Sequence, residues 1–187
     1  MNVTRRQALI HLATLMGASL AGPRLLSAAL TPGAAAGFAP GEIALLDEIG
    51  DTIIPATDVP GAKAVHIGAF IAMMVNDCYD APDQAAVKAG LKTLADTYRA
   101  RHGTEFAQGD AATRTAFLNT LDQEQRAYTA ARRPDQPQHY FRILKDLTIL
   151  GYFTSETGAT QALRYEEVPG RYDGNVPYRK GDRAFFN

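Results

Sequence analysis

Three side chains in the last third of the chain are of the types that form a serine-hydrolase triad. They are His139, Asp146 and Ser155. The nucleophilic serine of many hydrolases stands in a Gly-x-Ser-x-Gly turn, which presents its hydroxyl at the end of a strand. Ser155 stands in the stretch Phe-Thr-Ser-Glu-Thr, with no glycine at either of those positions. The pattern therefore favours a structural role, and we predict that Ser155 caps a short helix ending near Leu163.

Two sets of potential metal ligands also lack the spacing of a metal site. They are His66, His102 and His139, and Asp77, Asp80 and Asp83. No two of these histidines stand three or four residues apart, as two ligands on one helix face would. Pro82 interrupts the helix that would align the aspartates, and no calcium-loop glycine follows them. We predict solvated or helix-capping roles for both sets.

Cys78 is the only cysteine, which excludes an intrachain disulfide, a cysteine-based zinc site and the attachment motif of a c-type haem. We predict that it is a buried small apolar side chain. The chain also has no Gly-x-Gly-x-x-Gly after a strand, no phosphate-binding P-loop and no His-Glu-x-x-His motif. The sequence therefore predicts a protein that binds no cofactor of its own and is not itself an enzyme.

The N-terminus has the order of an export signal. Arg5 and Arg6 precede an apolar run over residues 8–21, and small residues follow up to residue 36. A run of about 14 residues is short for a hydrocarbon core of roughly 30 Å. We predict a signal segment and linker over residues 1–36, followed by a periplasmic mature chain.

Arg5 and Arg6 resemble the paired arginines that the twin-arginine translocase reads. Ala8 and Ile10 depart from the usual pattern, and an ordinary secretory signal or a basic surface helix is the alternative interpretation. Proteins that use the twin-arginine route typically fold before export, often around a cofactor. Because this chain has no cofactor motif, we predict that the folded cargo is a partner protein.

The composition is that of a soluble globular domain, with 46% hydrophobic and 21% charged residues among 187. Without residues 1–36, 16 basic residues remain against 20 acidic ones, and the basic residues are scattered among the acids. This balance offers no broad positive surface to a phosphate backbone, so nucleic acid is not a predicted partner.

Apolar periodicity predicts helices over about 41–54, 63–78, 83–102, 110–132, 138–153 and 155–163. The second should bury Val65, Ala69, Ala72 and Met73, and the third Val87, Leu91, Leu94 and Tyr98. The helix over 138–153 is apolar on more than one face, which places it centrally in the core or against another chain. We predict an all-α fold: a single compact domain of about five to six helices over residues 37–163, and an irregular, aromatic-rich tail over 164–187.

Three stretches carry a resemblance to a known family. They are residues 51–62 (DTIIPATDVPGA), 147–158 (LTILGYFTSETG) and 165–172 (YEEVPGRY). In this order and at this spacing, across about residues 38–176, the chain resembles the gluconate 2-dehydrogenase subunit 3 family.

The resemblance implies a non-catalytic small subunit of a bacterial flavin-dependent dehydrogenase that acts on sugars, sugar acids or alcohols. The partner would be a large subunit of the glucose-methanol-choline oxidoreductase group that holds FAD, and a cytochrome c subunit with its haem often accepts the electrons. The small subunit would carry the export signal for the pair, and no catalytic residues are transferred to this sequence. The alternative is an independent exported enzyme or binding protein.

Aromatic side chains near the C-terminus are the candidate contacts with that partner, because Tyr, Phe and Arg are enriched at protein interfaces. The candidates are Tyr152, Phe153, Tyr165, Tyr172, Tyr178, Phe185 and Phe186. An aperiodic segment of this composition cannot close a core by itself. The alternative for the tail is that it wraps its own helical domain.

Overall fold

Helices make up most of the part of the chain that this computed structural model describes, which is residues 37–168, 170–171 and 174–186. They are α1 (Pro40–Ile53), α2 (Ile67–Cys78), α3 (Ala81–His102), α4 (Ala111–Ala131) and α5 (Tyr140–Phe153). Shorter elements are the 3-10 turns Ala62–Val65 and Phe106–Gln108, the π-helical turn Gly158–Ala162, and the two-residue strands β1 (Arg164–Tyr165) and β2 (Phe185–Phe186). The predicted all-α class is confirmed. Arg5, Arg6 and Tyr172 lie outside the described residues.

Helix ends follow the capping signals in the sequence. The Asp80 carboxylate accepts the Asp83 N–H at 3.0 Å at the start of α3, and Asp110 accepts the Thr113 N–H at 2.9 Å at the start of α4. Gly103, with φ of 73°, ends α3 in the left-handed conformation that glycine adopts without strain. The four side chains predicted to face inward on α3 are all buried.

The predicted helix over 63–78 is wrong in its first turn. His66 has φ of 54° and separates a 3-10 turn from α2. After the break, the residues of α2 that face the core are Ile67, Gly68, Ile71, Ala72 and Val75. Met73, predicted to be buried, is 46% exposed, whereas Ala72 is buried as predicted.

Cys78 is the second correction on α2. The prediction of a buried side chain is wrong, because Cys78 is exposed at the last position of the helix. Its thiol lies 3.9 Å from the Met74 sulfur, one turn earlier on the same helix.

The centre of the helical domain is α5, which packs against α1, α2, α3 and α4. Its buried positions are Phe141, Ile143, Leu144, Leu147, Thr148, Gly151 and Tyr152. The prediction that this helix is central to the core is confirmed, although Ile149 and Leu150 remain exposed on its outer side. In the described part of the chain, no helix combines the length and the apolar character needed to cross a membrane.

One side chain lies at the point where α1, α2 and α5 approach one another. Ile67 has no exposed surface, and it lies against two glycines, Gly50 on α1 and Gly151 on α5. A Cβ on Gly50 would overlap Ile67 Cγ2, and a Cβ on Gly151 would overlap the Phe70 ring and lie 2.6 Å from Ile67 Cδ1. Beside this contact, the Gly68 N–H donates to the Asp47 carboxylate at 2.7 Å. The three helices can approach this closely only because both facing positions lack a side chain.

We expect Gly151→Ala to lower the free energy of unfolding by about 1–3 kcal/mol, the usual cost of overpacking a core. In an open helical position the same change normally stabilises, by up to about 1 kcal/mol. Gly41→Ala is the matched control, because no atom lies within 4 Å of a Cβ at that helical position. Denaturant unfolding measures both variants. Equal effects at Gly41 and Gly151 would contradict the close approach described above.

The start of α5 depends on an uncharged histidine. His139 Nδ1 accepts the Phe141 N–H at 3.2 Å, and the ring stacks on Tyr140 with the centroids 4.8 Å apart. Burial lowers the pKa of His139 below its ordinary value, and the charge of Glu124 opposes this shift. Protonation would remove the capping acceptor and place a positive charge at a helix N-terminus, where it is unfavourable.

Because the folded-state pKa is lowered, His139 stabilises the fold fully above the ordinary histidine pKa of about 6.5, and this contribution is lost as pH falls below it. We expect His139→Asn, which keeps a capping acceptor that does not titrate, to reduce the loss of stability between about pH 7.5 and about pH 5 by up to about 1 kcal/mol. Urea unfolding of both proteins at the two pH values measures this. An unchanged pH dependence in the variant would show that His139 is not the responsible group.

Candidate partner-binding surface

The three side chains of hydrolase type are each engaged locally. The Ser155 hydroxyl donates to the Tyr152 carbonyl at 2.6 Å and accepts the Gly158 N–H at 3.1 Å, which confirms its predicted role as a helix cap. His139 caps α5, and Asp146 pairs with Arg142 at 3.3 Å. Among the described residues, no hydrogen bond joins these three side chains to one another.

The potential metal ligands also have structural partners. Asp80 caps α3, and Asp83 accepts the Gln138 N–H at 2.7 Å. The His102 ring lies 4.5 Å from the Tyr98 ring, between centroids. Within the described ranges, no group of three or more His, Cys, Asp or Glu side chains is placed to hold one metal ion.

The tail contains regular structure that the sequence did not indicate. Strands β1 and β2 pair in parallel, with Arg164 opposite Phe185 and Tyr165 opposite Phe186. The Arg164 N–H donates to the Ala184 carbonyl at 2.8 Å, and the Glu166 N–H donates to the Phe186 carbonyl at 3.0 Å. The tail that was predicted to be irregular therefore contains one short strand pair, at these four residues. The pairing brings residues 164–166 beside residues 184–186, and β1 contacts the turn Gly158–Ala162.

Exposed apolar side chains are concentrated in this tail. Tyr165 is 50% exposed, Tyr178 76% and Phe185 46%, whereas Phe186 is half-buried. Across the described residues, eight large apolar side chains are exposed, and five of them lie in the tail: Tyr165, Val168, Val176, Tyr178 and Phe185. The other three are Met73 on α2, and Ile149 and Leu150 on α5. The tail therefore presents most of the large apolar surface that this part of the chain leaves uncovered.

An open groove of about 940 Å³ runs along the tail. Its aromatic lining comes from Tyr165, Tyr178 and Phe185, and its positive charges come from Arg164 and Arg183. The Arg164 guanidinium lies 4.5 Å from the centroid of the Phe185 ring, a cation–π distance. Sequence reasoning selected the aromatic residues but not the two arginines. The interleaving of Arg with Tyr and Phe in the tail was the one signal that could have indicated them.

Two predicted contact residues lie at the end of α5 instead of in the tail. The Tyr152 side chain is 3% exposed, and its hydroxyl donates to the Pro60 carbonyl at 2.7 Å. Burial also raises the pKa of Tyr152 above its ordinary value. Tyr152 therefore belongs to the core of its own domain, which corrects its placement among the partner contacts. Phe153 is half-buried against Tyr152, with the ring centroids 5.2 Å apart.

The exposed or half-buried candidates that remain in the tail are Tyr165, Tyr178, Phe185 and Phe186, and Phe153 packs against the core instead. The use of these residues for partner binding stays a prediction. Their arrangement is suited to protein contact, since aromatic bodies with polar or cationic neighbours are typical of interface hot spots. Ser155, His139 and Asp146 are outside this surface.

Comparison with known proteins gives one match. The family model described as gluconate 2-dehydrogenase subunit 3 matches residues 40–170. The matched range begins at the first residue of α1 and ends shortly after β1, so it includes all of the main helices. No curated protein and no solved structure matches the chain.

Proposed function

Because the chain belongs to the gluconate 2-dehydrogenase subunit 3 family, we propose that it is the non-catalytic small subunit of an exported flavoprotein dehydrogenase. The match over residues 40–170 carries the proposal, since it covers the helical domain from its first helix to the start of the tail. The complex would act on sugars, sugar acids or alcohols. The chemistry would take place in the partner subunit.

The partner that fits this role is a large subunit of the glucose-methanol-choline group that holds FAD. A third subunit with haem c would accept the electrons. The small subunit would stabilise the folded flavoprotein through the aromatic surface of the tail. The exposure of Tyr165, Tyr178 and Phe185 supports this role, because large apolar side chains of a stable subunit are usually covered in its working assembly.

The second part of the proposal is that this chain escorts the flavoprotein during export. A folded flavoprotein without a signal of its own would reach the periplasm bound to this chain, through the twin-arginine translocase. Arg5 and Arg6 support this route, because the translocase reads a pair of arginines near the N-terminus. The mature complex would then work in the periplasm, at the outer face of the inner membrane.

We expect the double substitution Arg5→Lys and Arg6→Lys to leave both this chain and its flavoprotein in the cytoplasm. Lysine keeps the positive charge but not the planar guanidinium, so a receptor that reads the arginine pair would no longer bind it. The experiment purifies the tagged chain from cytoplasmic and periplasmic fractions of its native host and records flavin and haem absorption. A periplasmic chain that carries no flavoprotein would instead favour an independent exported protein, and normal export of the flavoprotein with the double variant would refute the escort role.

We expect truncation after Leu163 to abolish binding of the flavoprotein while the helical domain still unfolds cooperatively. The strands contact mainly the turn Gly158–Ala162 and each other, so the packing of α1 to α5 does not depend on them. Aromatic anchors can each contribute about 2 kcal/mol to binding, and the loss of two would lower affinity about a thousandfold.

Pull-down of the flavoprotein and thermal unfolding of the truncated chain are measured side by side. Loss of both binding and the unfolding transition would assign the tail to the core of the domain. Retained binding would show that the tail is not the binding surface. The remaining candidates would then be the exposed side chains Met73, Ile149 and Leu150.

A further inference from the structure

The groove in the tail is lined by both apolar and charged side chains. Tyr178 and Phe185 contribute aromatic rings, and Leu163, Val176 and Pro177 contribute aliphatic surface. Both rings are largely uncovered, since Tyr178 is 76% and Phe185 46% exposed. At about 940 Å³ the groove is large enough for several side chains of an extended peptide, and protein grooves that bind peptides are typically apolar with a few polar groups that fix orientation.

The side chains that line the groove carry a net positive charge, because Arg164 and Arg183 outnumber the single carboxylate, Asp182. No carboxylate of the described residues forms an ion pair with either guanidinium. The Asp182 carboxylate instead accepts the Arg179 N–H at 2.7 Å and so holds a turn of the tail. The occupant that complements this lining carries an apolar side chain and a carboxylate.

We propose that the groove receives an extended segment of the flavoprotein subunit, with an apolar side chain between Tyr178 and Phe185 and an acidic side chain on Arg183. This inference rests on the proposed function, because family membership makes a dehydrogenase subunit the partner. The Arg164 guanidinium lies 4.5 Å from the centroid of the Phe185 ring, so these two lining side chains already contact each other without the partner. Such a contact lowers the conformational entropy lost on association.

Two substitutions test the charged and the aromatic lining of the groove, each with a matched control in the same tail. Arg183→Glu reverses a charge that lines the groove, and Lys180→Glu makes the same change in a neighbouring exposed residue that does not line it. Tyr178→Ala removes an aromatic ring that lines the groove. Val168→Ala shortens a side chain that is equally exposed, at 76%, but does not line the groove. All four positions are exposed, so the helical domain should unfold as in the wild type.

The measurement is the affinity of each full-length variant for the purified flavoprotein subunit at low and high salt. We expect Arg183→Glu and Tyr178→Ala each to weaken binding about tenfold or more, and the loss in Arg183→Glu to shrink as salt screens the charge. The two controls should bind within about twofold of the wild type.

Each other outcome is decisive. If the wild type binds the flavoprotein and all four variants bind equally well, the groove assignment is overturned while the proposed function stands. If Lys180→Glu weakens binding as much as Arg183→Glu, the attraction is a general one of charge, which also overturns it. A wild-type dimer by light scattering that Arg183→Glu dissociates would identify a second copy as the occupant. If the wild type fails to bind the flavoprotein, the proposed function itself fails.

Discussion

The contact of Ile67 with two glycines is the constraint on which the helical domain depends. Ile67 lies at the first position of α2, and its side chain fills the space where α1 and α5 would otherwise present side chains at Gly50 and Gly151. This contact sets the separation of three helices at once. The break at His66 lies directly before this contact, so α2 begins with Ile67 as its first buried residue. Met73 then falls on the exposed side of α2.

The central position of α5 connects this packing to the tail. The helix is capped by His139 at its start, is buried against the other helices along its length, and ends beside Ser155, whose hydroxyl caps the next turn. A Cβ on Gly158 would lie 2.7 Å from the Tyr152 carbonyl carbon, so that turn lies directly on the end of α5. The chain then continues into β1. The helix with the most buried positions in the domain therefore fixes the point at which the tail begins.

The two parts of the described chain consequently have different physical roles. The helical domain buries most of its large apolar side chains within itself. Tyr152, at the end of α5, is buried as well, and its hydroxyl donates to the Pro60 carbonyl. The tail is held at both ends by two backbone hydrogen bonds between β1 and β2, and it leaves Tyr165, Tyr178 and Phe185 uncovered. A helical domain with a tail that leaves apolar side chains exposed is a suitable form for a subunit of a dehydrogenase complex.

The sequence by itself determined the features that depend on neighbours along the chain. The caps at Asp80, Asp110 and Ser155 and the inward face of α3 were predictable, because an N-cap and a helical face are decided within a few residues. The aromatic content of the tail was also readable, and it indicated Tyr165, Tyr178 and Phe185.

Only the tertiary structure decided which surfaces face one another. The Ile67 side chain contacts Gly50 and Gly151, which are about one hundred residues apart in sequence, so no local pattern encodes this contact. Tyr152 is a core residue because its hydroxyl donates to the Pro60 carbonyl, 92 residues away in the sequence, although a tyrosine suits an interface equally well. The groove that Arg183 lines is formed beside the paired strands β1 and β2, and two-residue strands leave no periodicity in a sequence.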